Sequence, residues 1–375
     1  MQLSPFIKDT VTRAGIMVAG CGALGNEVIK NLALLGVGRI LAVDFDSVER
    51  ENLCKSVLFT EEDVRNGRRK TDAVKDAVHR LNPDVGISTI FGDIATDVGL
   101  ALWKEYDVVI SCVDSRWARY CINRNCMRTL TPWVDGGIMA LEGTVRVFAH
   151  GRNCYACNLG PAGLDELRRR MPCPGVVRRN ERAGRAATTV LSASIIAAVQ
   201  VQEALKLLHG KDLEEGRLTS LCGRMFSYEG ENLTTGIADF KAWDEDCPCH
   251  EVWDVEGRAD IGAGSTVGEA LDCLKNHLGC DDVAIVLRDD CFVDYVERRC
   301  DGRKYDVMVP GRKVGERLEE GPLCGLASDA LYQHEWRRIG GSFPYRDMTL
   351  AELGIPPRDI LHLTADGEDR FIEMN

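Results

Sequence analysis

Residues 15–46 read GIMVAGCGALGNEVIKNLALLGVGRILAVDFD, and this stretch decides the fold. GIMVAG (15–20) is an apolar run of strand length that ends at glycine. After it, Leu24, Val28, Leu32 and Leu35 recur at helical spacing, and Gly36 is a natural stop. RILAVDFD (39–46) is a second apolar run. Strand, glycine turn, helix, strand is one βαβ unit and predicts a parallel sheet. Gly20, Gly22 and Gly25 fall where the strand becomes the helix. Glycine there permits a tight turn and lets backbone N–H groups approach a phosphate. Asp44 ends the second strand, 19 residues after Gly25, where a carboxylate can accept ribose hydroxyls. Asp46 is a nearby competitor for that part. On these residues alone, a dinucleotide fits as well as ATP.

The alternation continues outward. Lys70–Leu81 predicts a helix that ends before Asn82-Pro83. GISTIFGDI and YDVVISCVD predict strands, and WARYCINRNCMR the helix after the second of them. TPWVDGGIM and LEGTVRVFAH predict two further strands, and Thr188–Leu208 a long, small-residue-rich helix. Residues 1–255 thus read as a Rossmann-like, doubly wound α/β domain. The Gly-rich, polar stretch 256–264 reads as a linker. Residues 265–375 read as a smaller α+β domain, β-grasp-like by the order of its elements. Its helix is expected at Val267–Leu278, a short helix at TLAELGI, and a final hairpin around Asp366-Gly367.

Composition narrows the function. Of 375 residues, 46 are Lys or Arg and 58 are Asp or Glu, a formal charge of −12. That balance argues against nucleic acid or an anionic membrane as the main partner. The stretch from Ala186 to Gln202 is uncharged but carries Thr, Ser and Gln, too polar for a membrane span. MQLSPFIKDT has no apolar signal core, so a cytoplasmic, reducing setting is expected for the 16 cysteines. Cys154-x-x-Cys157 pairs with Cys247-Pro-Cys249-His250 in the spacing of a structural tetrahedral Zn²⁺ site. Cys173 stands between Pro172 and Pro174, flanked by Arg168, Arg169, Arg170, Arg178, Arg179, Arg182 and Arg185. Positive surroundings raise a thiol's thiolate fraction.

Beyond the glycine loop come DFDSVERENLCKSVLF, GRRKTDA and SCVDSRWAR. Together these stretches resemble the E1-like (ThiF/MoeB/ubiquitin-activating) family of adenylating enzymes. That family's pattern runs glycine loop, D-x-D-x-V-x-x-x-N-L-x-R-Q, G-x-x-K, D-N-x-x-A-R. The match spans about residues 11–250, and the nearest likeness is to bacterial enzymes that activate ubiquitin-like proteins. The resemblance implies that Asn52 and Lys55 contact the ATP phosphates, Lys70 the α/β-phosphate region, and Asp114 a Mg²⁺ ion, with Ser115 beside it. Cations of this kind neutralise charge that builds on the α-phosphoryl group as a carboxylate attacks it. In the same way, Cys173 is implied as a thioester nucleophile in a crossover loop spanning 158–186. The family's second zinc pair, laid on this chain, uses Cys247 and His250. Thiolate chemistry accepts Cys249 equally, and the expected ligands are Cys154, Cys157, Cys247 and Cys249.

The chain departs from the pattern in three places. Lys55-Ser56 replaces Arg-Gln, which keeps a charge and loses the bidentate fork. Ser115 replaces Asn. Only about ten residues precede the first strand, so the helix that usually bridges a dimer is expected to be largely missing.

The expected function is an E1 that uses Mg·ATP to adenylate the C-terminal carboxylate of a ubiquitin-like protein. It then holds the acyl group on Cys173 and passes it to an E2, with residues 265–375 docking that partner. A homodimer is expected, and antiviral conjugation systems are one setting the resemblance suggests. The rivals are an adenylyltransferase for a sulfur carrier or a peptide C-terminus, an NAD-dependent dehydrogenase, and an inactive carrier-binding scaffold.

Overall fold

Both faces of the first strand are covered, which is why β1 (Gly15–Ala19) is a run of aliphatic residues without alternation. The computed structural model describes residues 5–170, 188–240, 243–287, 289–320, 323, 326 and 331–375. These fall into two compact units. The first holds the chain up to Ala95, Trp103–Leu164 and the stretch ending at Val252. The second holds Thr96–Leu102 and Trp253–Asn375, with part of the chain between.

In the first unit, helix α1 (Pro5–Arg13) leads into β1. Helix α2 (Ala23–Leu35) returns the chain to β2 (Arg39–Asp44), and Gly36, with φ 75°, closes the helix. Next come α3 (Lys70–Leu81), β3 (Gly86–Phe91), β4 (Val108–Ser111), α4 (Arg116–Thr129) and β5 (Trp133–Met139). Strand β6 (Glu142–Phe148), helices α5 (Tyr155–Arg170) and α6 (Val190–Leu207), and strands β7 (Arg224–Glu229) and β8 (Thr234–Asp239) follow. Gly160, at φ 67°, interrupts α5, so this helix takes up the start of the stretch expected as a loop from 158.

Among the described residues the sheet order is β3-β2-β1-β4-β5-β6-β7-β8. Pairing is parallel from β3 to β5 and antiparallel from β5 to β8. The order reverses between β1 and β4, and the crevice at such a switch point is where ligands sit in doubly wound sheets. By length and composition α6 is apolar enough to cross a membrane. Its Ala193, Ile196, Ala197, Val201 and Ala204 instead lie in the core of this unit.

In the second unit a five-stranded sheet has the order β14-β10-β15-β16-β9. These strands are β9 (Val255–Ala259), β10 (Val283–Val286), β14 (Arg338–Ile339), β15 (Ile360–Ala365) and β16 (Glu368–Met374). The stretch expected as a linker therefore supplies most of a strand, because β9 pairs in parallel with β16. Helix α7 (Val267–Leu278) buries Val267, Ala270, Leu271 and Leu274, and Thr266 with Glu269 forms its capping box. Asp366 (φ 50°) and Gly367 (φ 86°) make the tight turn expected between β15 and β16. TLAELGI closes only hydrogen-bonded turns and no helix.

A smaller sheet, β12-β11-β13, is built from β11 (Phe292–Arg298), β12 (Lys304–Pro310) and β13 (Leu331–Trp336). At the bulge in β11, Asp294 is 4% exposed. Its carboxylate accepts from His334 Nδ1 (2.8 Å), Trp336 Nε1 (2.9 Å) and Tyr345 OH (3.3 Å). Burial opposes the charge, but the Trp336 and His334 donors outweigh it and hold the carboxyl below its usual range.

Two stability predictions follow from this packing. A methyl on Gly25 would lie 1.9 Å from the Gly20 carbonyl oxygen, so Gly25→Ala is expected to cost at least about 2 kcal/mol. An unchanged urea midpoint would contradict the packing. Asp294→Ala orphans buried donors and should cost about 2–3 kcal/mol at pH 7. A depressed folded pKa stabilises fully above the unfolded value of about 4 and is lost as pH falls through the folded one. Denaturation at pH 7 and pH 3 should therefore show the gap between parent and variant narrowing in acid.

Candidate functional site

The three loop glycines play three different parts. Gly20 has φ +93°, and a Cβ there would lie 2.8 Å from the Cys112 carbonyl oxygen, so β4 runs directly beside the turn. A Cβ on Gly22 meets nothing within 4 Å, which leaves the loop's outer side open. Gly25 lets α2 close onto the turn. A tight turn, an open approach and close helix packing are what a phosphate-binding loop requires. Asn26, 0% exposed, ties this loop to the segment that follows β2. Its Nδ2 donates to the carbonyls of Cys21 (2.7 Å) and Gly22 (3.2 Å), and its Oδ1 accepts from Leu58 N–H (2.8 Å).

Asp44, at the end of β2, accepts the Cys21 N–H at 2.7 Å and the Asp46 N–H at 2.8 Å. It therefore holds the loop, and each oxygen keeps a second lone pair. Burial pushes its carboxyl up, against the pull of Lys70 and the two N–H donors. The Cys21 thiol, fully buried, is pushed up by burial and by Asp44. Lys70 begins α3 and is only 7% exposed. Its Nζ lies 2.8 Å from Asp46 Oδ2, so Asp46 is the carboxylate that pairs with the lysine.

Asn52 is buried, with Oδ1 accepting from Glu49 N–H at 2.9 Å. Lys55 follows it, half-buried, and among the described residues its ammonium has no ion-pair partner. Ser56, 3% exposed, has a hydroxyl with no hydrogen-bond partner among the described residues. Asp114 is exposed between β4 and α4, two residues beyond the Cys112 that abuts Gly20. An exposed carboxylate at a strand end is a hard oxygen donor of the kind Mg²⁺ takes. Ser115 is the N-cap of α4, its Oγ accepting from Ala118 N–H at 3.2 Å.

Arg119 braces this corner and was not singled out from sequence. Its Nη2 donates to the Val113 carbonyl (2.6 Å) and its Nε to Asp135 Oδ1 (2.8 Å). Asp135 is 0% exposed and also accepts from Arg146 Nε (3.0 Å) and Ser111 Oγ (3.0 Å). The switch point thus brings together the glycine loop, Asp44, Asp46 and Lys70. Asn26 tethers the Asn52–Lys55 segment to that group, and the β4 backbone places Asp114 beside it. Backbone N–H groups and lysine charge around an open loop suit a polyphosphate, and the carboxylate suits its cation.

The cysteine pairs meet elsewhere in the same unit. Donor atoms of Cys154, Cys157, Cys247 and His250 all lie within 4.8 Å of one another. Cys154 Sγ is 4.0 Å from Cys247 Sγ, and Cys157 Sγ is 3.3 Å from His250 Nε2. Bonds of about 2.3 Å to sulfur and 2.0–2.1 Å to nitrogen around Zn²⁺ give edges of this size, so the donor set fits zinc. Among the described residues the cluster that could hold the metal includes His250 in the place expected for Cys249. The Cys249 thiol, 0% exposed, lies against both Cys247 and the Tyr120 hydroxyl. His250 is held by Trp243, whose ring stacks on it at 3.4 Å. Hydrogen bonds from Cys154 and Cys249 push the Cys247 thiol down, toward the thiolate a metal needs. Asn123 Nδ2 lies 3.1 Å from Cys154 Sγ and steadies the pair from behind. Cys173, the expected nucleophile, lies outside the described residues.

A family model described as the ThiF family matches residues 6–249. The chain is 32% identical over 231 residues to the adenylyltransferase and sulfurtransferase MOCS3 of Culex quinquefasciatus, covering 60% of this chain and 49% of that protein. It is 30% identical over 273 residues to the SAMP-activating enzyme E1 of Haloferax volcanii, covering 72% and 93%. It is 32% identical over 215 residues to the sulfur carrier protein adenylyltransferase of Thermus thermophilus, covering 56% and 74%. The chain thus spans about half the length of the MOCS3 relative. A crystal structure of Escherichia coli MccB with ATP superposes with a TM-score of 0.51 at 20% identity, over 65% of this chain and 68% of that one. That likeness is one of fold.

Purified protein is expected to carry about one equivalent of zinc. His250→Ala should release it to a chelator far faster than the parent does, while Cys249→Ser should retain it. Metal analysis after chelator dialysis checks both, and the opposite pattern would restore Cys249 as the ligand.

Proposed function

This chain belongs to the ThiF family, and from that premise we propose that it is an ATP-dependent adenylyltransferase. Its acceptor would be the C-terminal carboxylate of a small ubiquitin-like or sulfur-carrier protein. The observation that carries this reading is the open glycine loop at the switch point, next to Asp44 and the Lys70–Asp46 pair.

In this reading the Gly22 side of the loop and Lys55 hold the phosphates, and Asp44 meets the ribose. Asp114 would hold Mg²⁺, which when bound offsets the charge of the polyphosphate. The carrier's carboxylate oxygen attacks the α-phosphorus. The bond to the bridging oxygen breaks, pyrophosphate leaves, and an acyl-adenylate remains. Asn52, buried and capped onto Glu49, fixes the Lys55 segment so that the phosphates are met in one geometry.

The finer reading continues to a thioester. The Cys173 thiolate attacks the acyl carbonyl, the carbon–oxygen bond to AMP breaks, and AMP departs with the electron pair. The arginines around Cys173 in the sequence support this step. Passage to an E2-like enzyme docked on the second unit would follow. The parallel pairing of β9 with β16, the first and last strands of that unit, supports a ubiquitin-fold-like module. Its helix follows a single strand rather than a hairpin, which sets it apart from the ubiquitin order. A sulfur-carrier role is the second reading, favoured by the names of the Culex and Thermus relatives. A homodimer and a cytoplasmic setting complete the proposal.

With its cognate carrier the protein should exchange labelled pyrophosphate into ATP, and Asp114→Ala should slow that exchange by about 100-fold or more. Cys173→Ala should leave exchange intact and abolish a thiol-sensitive adduct on a non-reducing gel. Exchange without any such adduct in the parent would select the sulfur-carrier reading. Absence of exchange, or binding of a nicotinamide cofactor in place of ATP, would sink the adenylation itself.

A further inference from the structure

We infer that Asn26 is a positioning residue for the phosphates: its amide turns the N–H groups of Gly22 and Ala23 outward, toward the nucleotide. The inference rests on the adenylating reading above and deepens it.

The peptide unit is planar and trans. In each such unit the C=O and the N–H point in opposite directions. Asn26 Nδ2 holds the Cys21 carbonyl at 2.7 Å, and at 3.2 Å it reinforces the Gly22 carbonyl, which also accepts the Asn26 backbone N–H at 2.8 Å. The N–H partners in those two peptide units belong to Gly22 and Ala23. Fixing both carbonyls on the inner side therefore aims both N–H groups at the outer side. That side is open, since a Cβ on Gly22 meets nothing within 4 Å. The preceding N–H, of Cys21, is already committed to Asp44 at 2.7 Å. The Gly22 and Ala23 N–H groups have no protein acceptor among the described residues, and the N-cap Gly22 offers no side chain to cap the helix. They are the orphan donors that a helix N-terminus presents to an anion.

The other end of the amide sets the second wall. Oδ1 accepts the Leu58 N–H at 2.8 Å, three residues beyond Lys55. One buried side chain thus ties the donor loop to the lysine-bearing segment opposite. An amide at a fully enclosed position costs stability unless its bonds are made. Here two donors and one acceptor are all spent on the two walls of the phosphate slot. An aliphatic residue would fill the same volume and leave both walls free to drift.

The test compares ATP with adenosine, which lacks phosphates, by titration calorimetry on the full chain. Asn26→Ala should weaken ATP by about 10-fold or more and leave adenosine within about twofold. Asn26→Ser keeps one hydroxyl that can reach the Gly22 carbonyl four residues back, and should fall between. Parallel weakening of both ligands would mean a general packing role and would overturn the inference. So would an ATP affinity unchanged from the parent. Amide NMR on the parent needs no variant to fold: the Gly22 and Ala23 N–H signals should move downfield with ATP and stay in place with adenosine. If they ignore ATP while the parent binds it, the inference fails alone. If the parent binds no ATP, the adenylating reading fails first and takes the inference with it.

Discussion

A helix can stand on a strand-to-helix turn only as closely as the side chains between them allow. At Gly25 there is none, and α2 settles so near the Gly20 carbonyl that even a methyl group would collide with it. Everything at the nucleotide end follows from this approach. It sets the height of the helix over β1 and brings Asn26 within reach of the two loop carbonyls. It also puts the loop in line with the Asp44 carboxylate. Were the helix lifted by the thickness of one methyl, the hydrogen bonds from Asn26 and to Asp44 would lengthen together. Packing and ligand geometry are here one constraint rather than two.

The βαβ core was legible because its signals are local. The spacing of Leu24, Val28 and Leu32 and the stop at Gly36 need no knowledge of distant chain. The same holds for the turn at Asp366-Gly367, where backbone demands at two adjacent positions name the turn. The strand β9 was not legible. Its partner β16 lies more than a hundred residues away, and Gly257 and Arg258 look like linker until that pairing supplies the reason for an extended chain. Strands β7 and β8 were missed for a related reason, since every residue of β8 is exposed and so has no buried alternation to read.

The candidate site divides in the same way. Glycines, lysines, carboxylates and the Arg119 that closes SCVDSRWAR fall on motif spacing, whereas Asn26, Asp135 and Asn123 act through contacts that spacing does not reveal. A signal did exist for Asn26: it directly follows the third loop glycine, where a buried amide needs a polar partner. The choice between Cys249 and His250 depended on where a Cys-Pro-Cys-His turn points each side chain. Stacking by Trp243 and the hydroxyl of Tyr120 decide that, and neither is adjacent in sequence.

The cysteine–histidine clasp also has a bearing on how the chain comes to be folded. It joins residues 93 positions apart. Closing a loop of that length in the denatured chain carries an entropic penalty of about 4–5 kcal/mol, which the bonds to a bound ion would help to offset. The βαβ half, made of short-range contacts, can form without it. The clasp closes only when the chain returns to complete the antiparallel edge of the sheet. Metal uptake should accordingly be a late event in folding, acting as a latch on a body already assembled rather than as the seed around which it condenses.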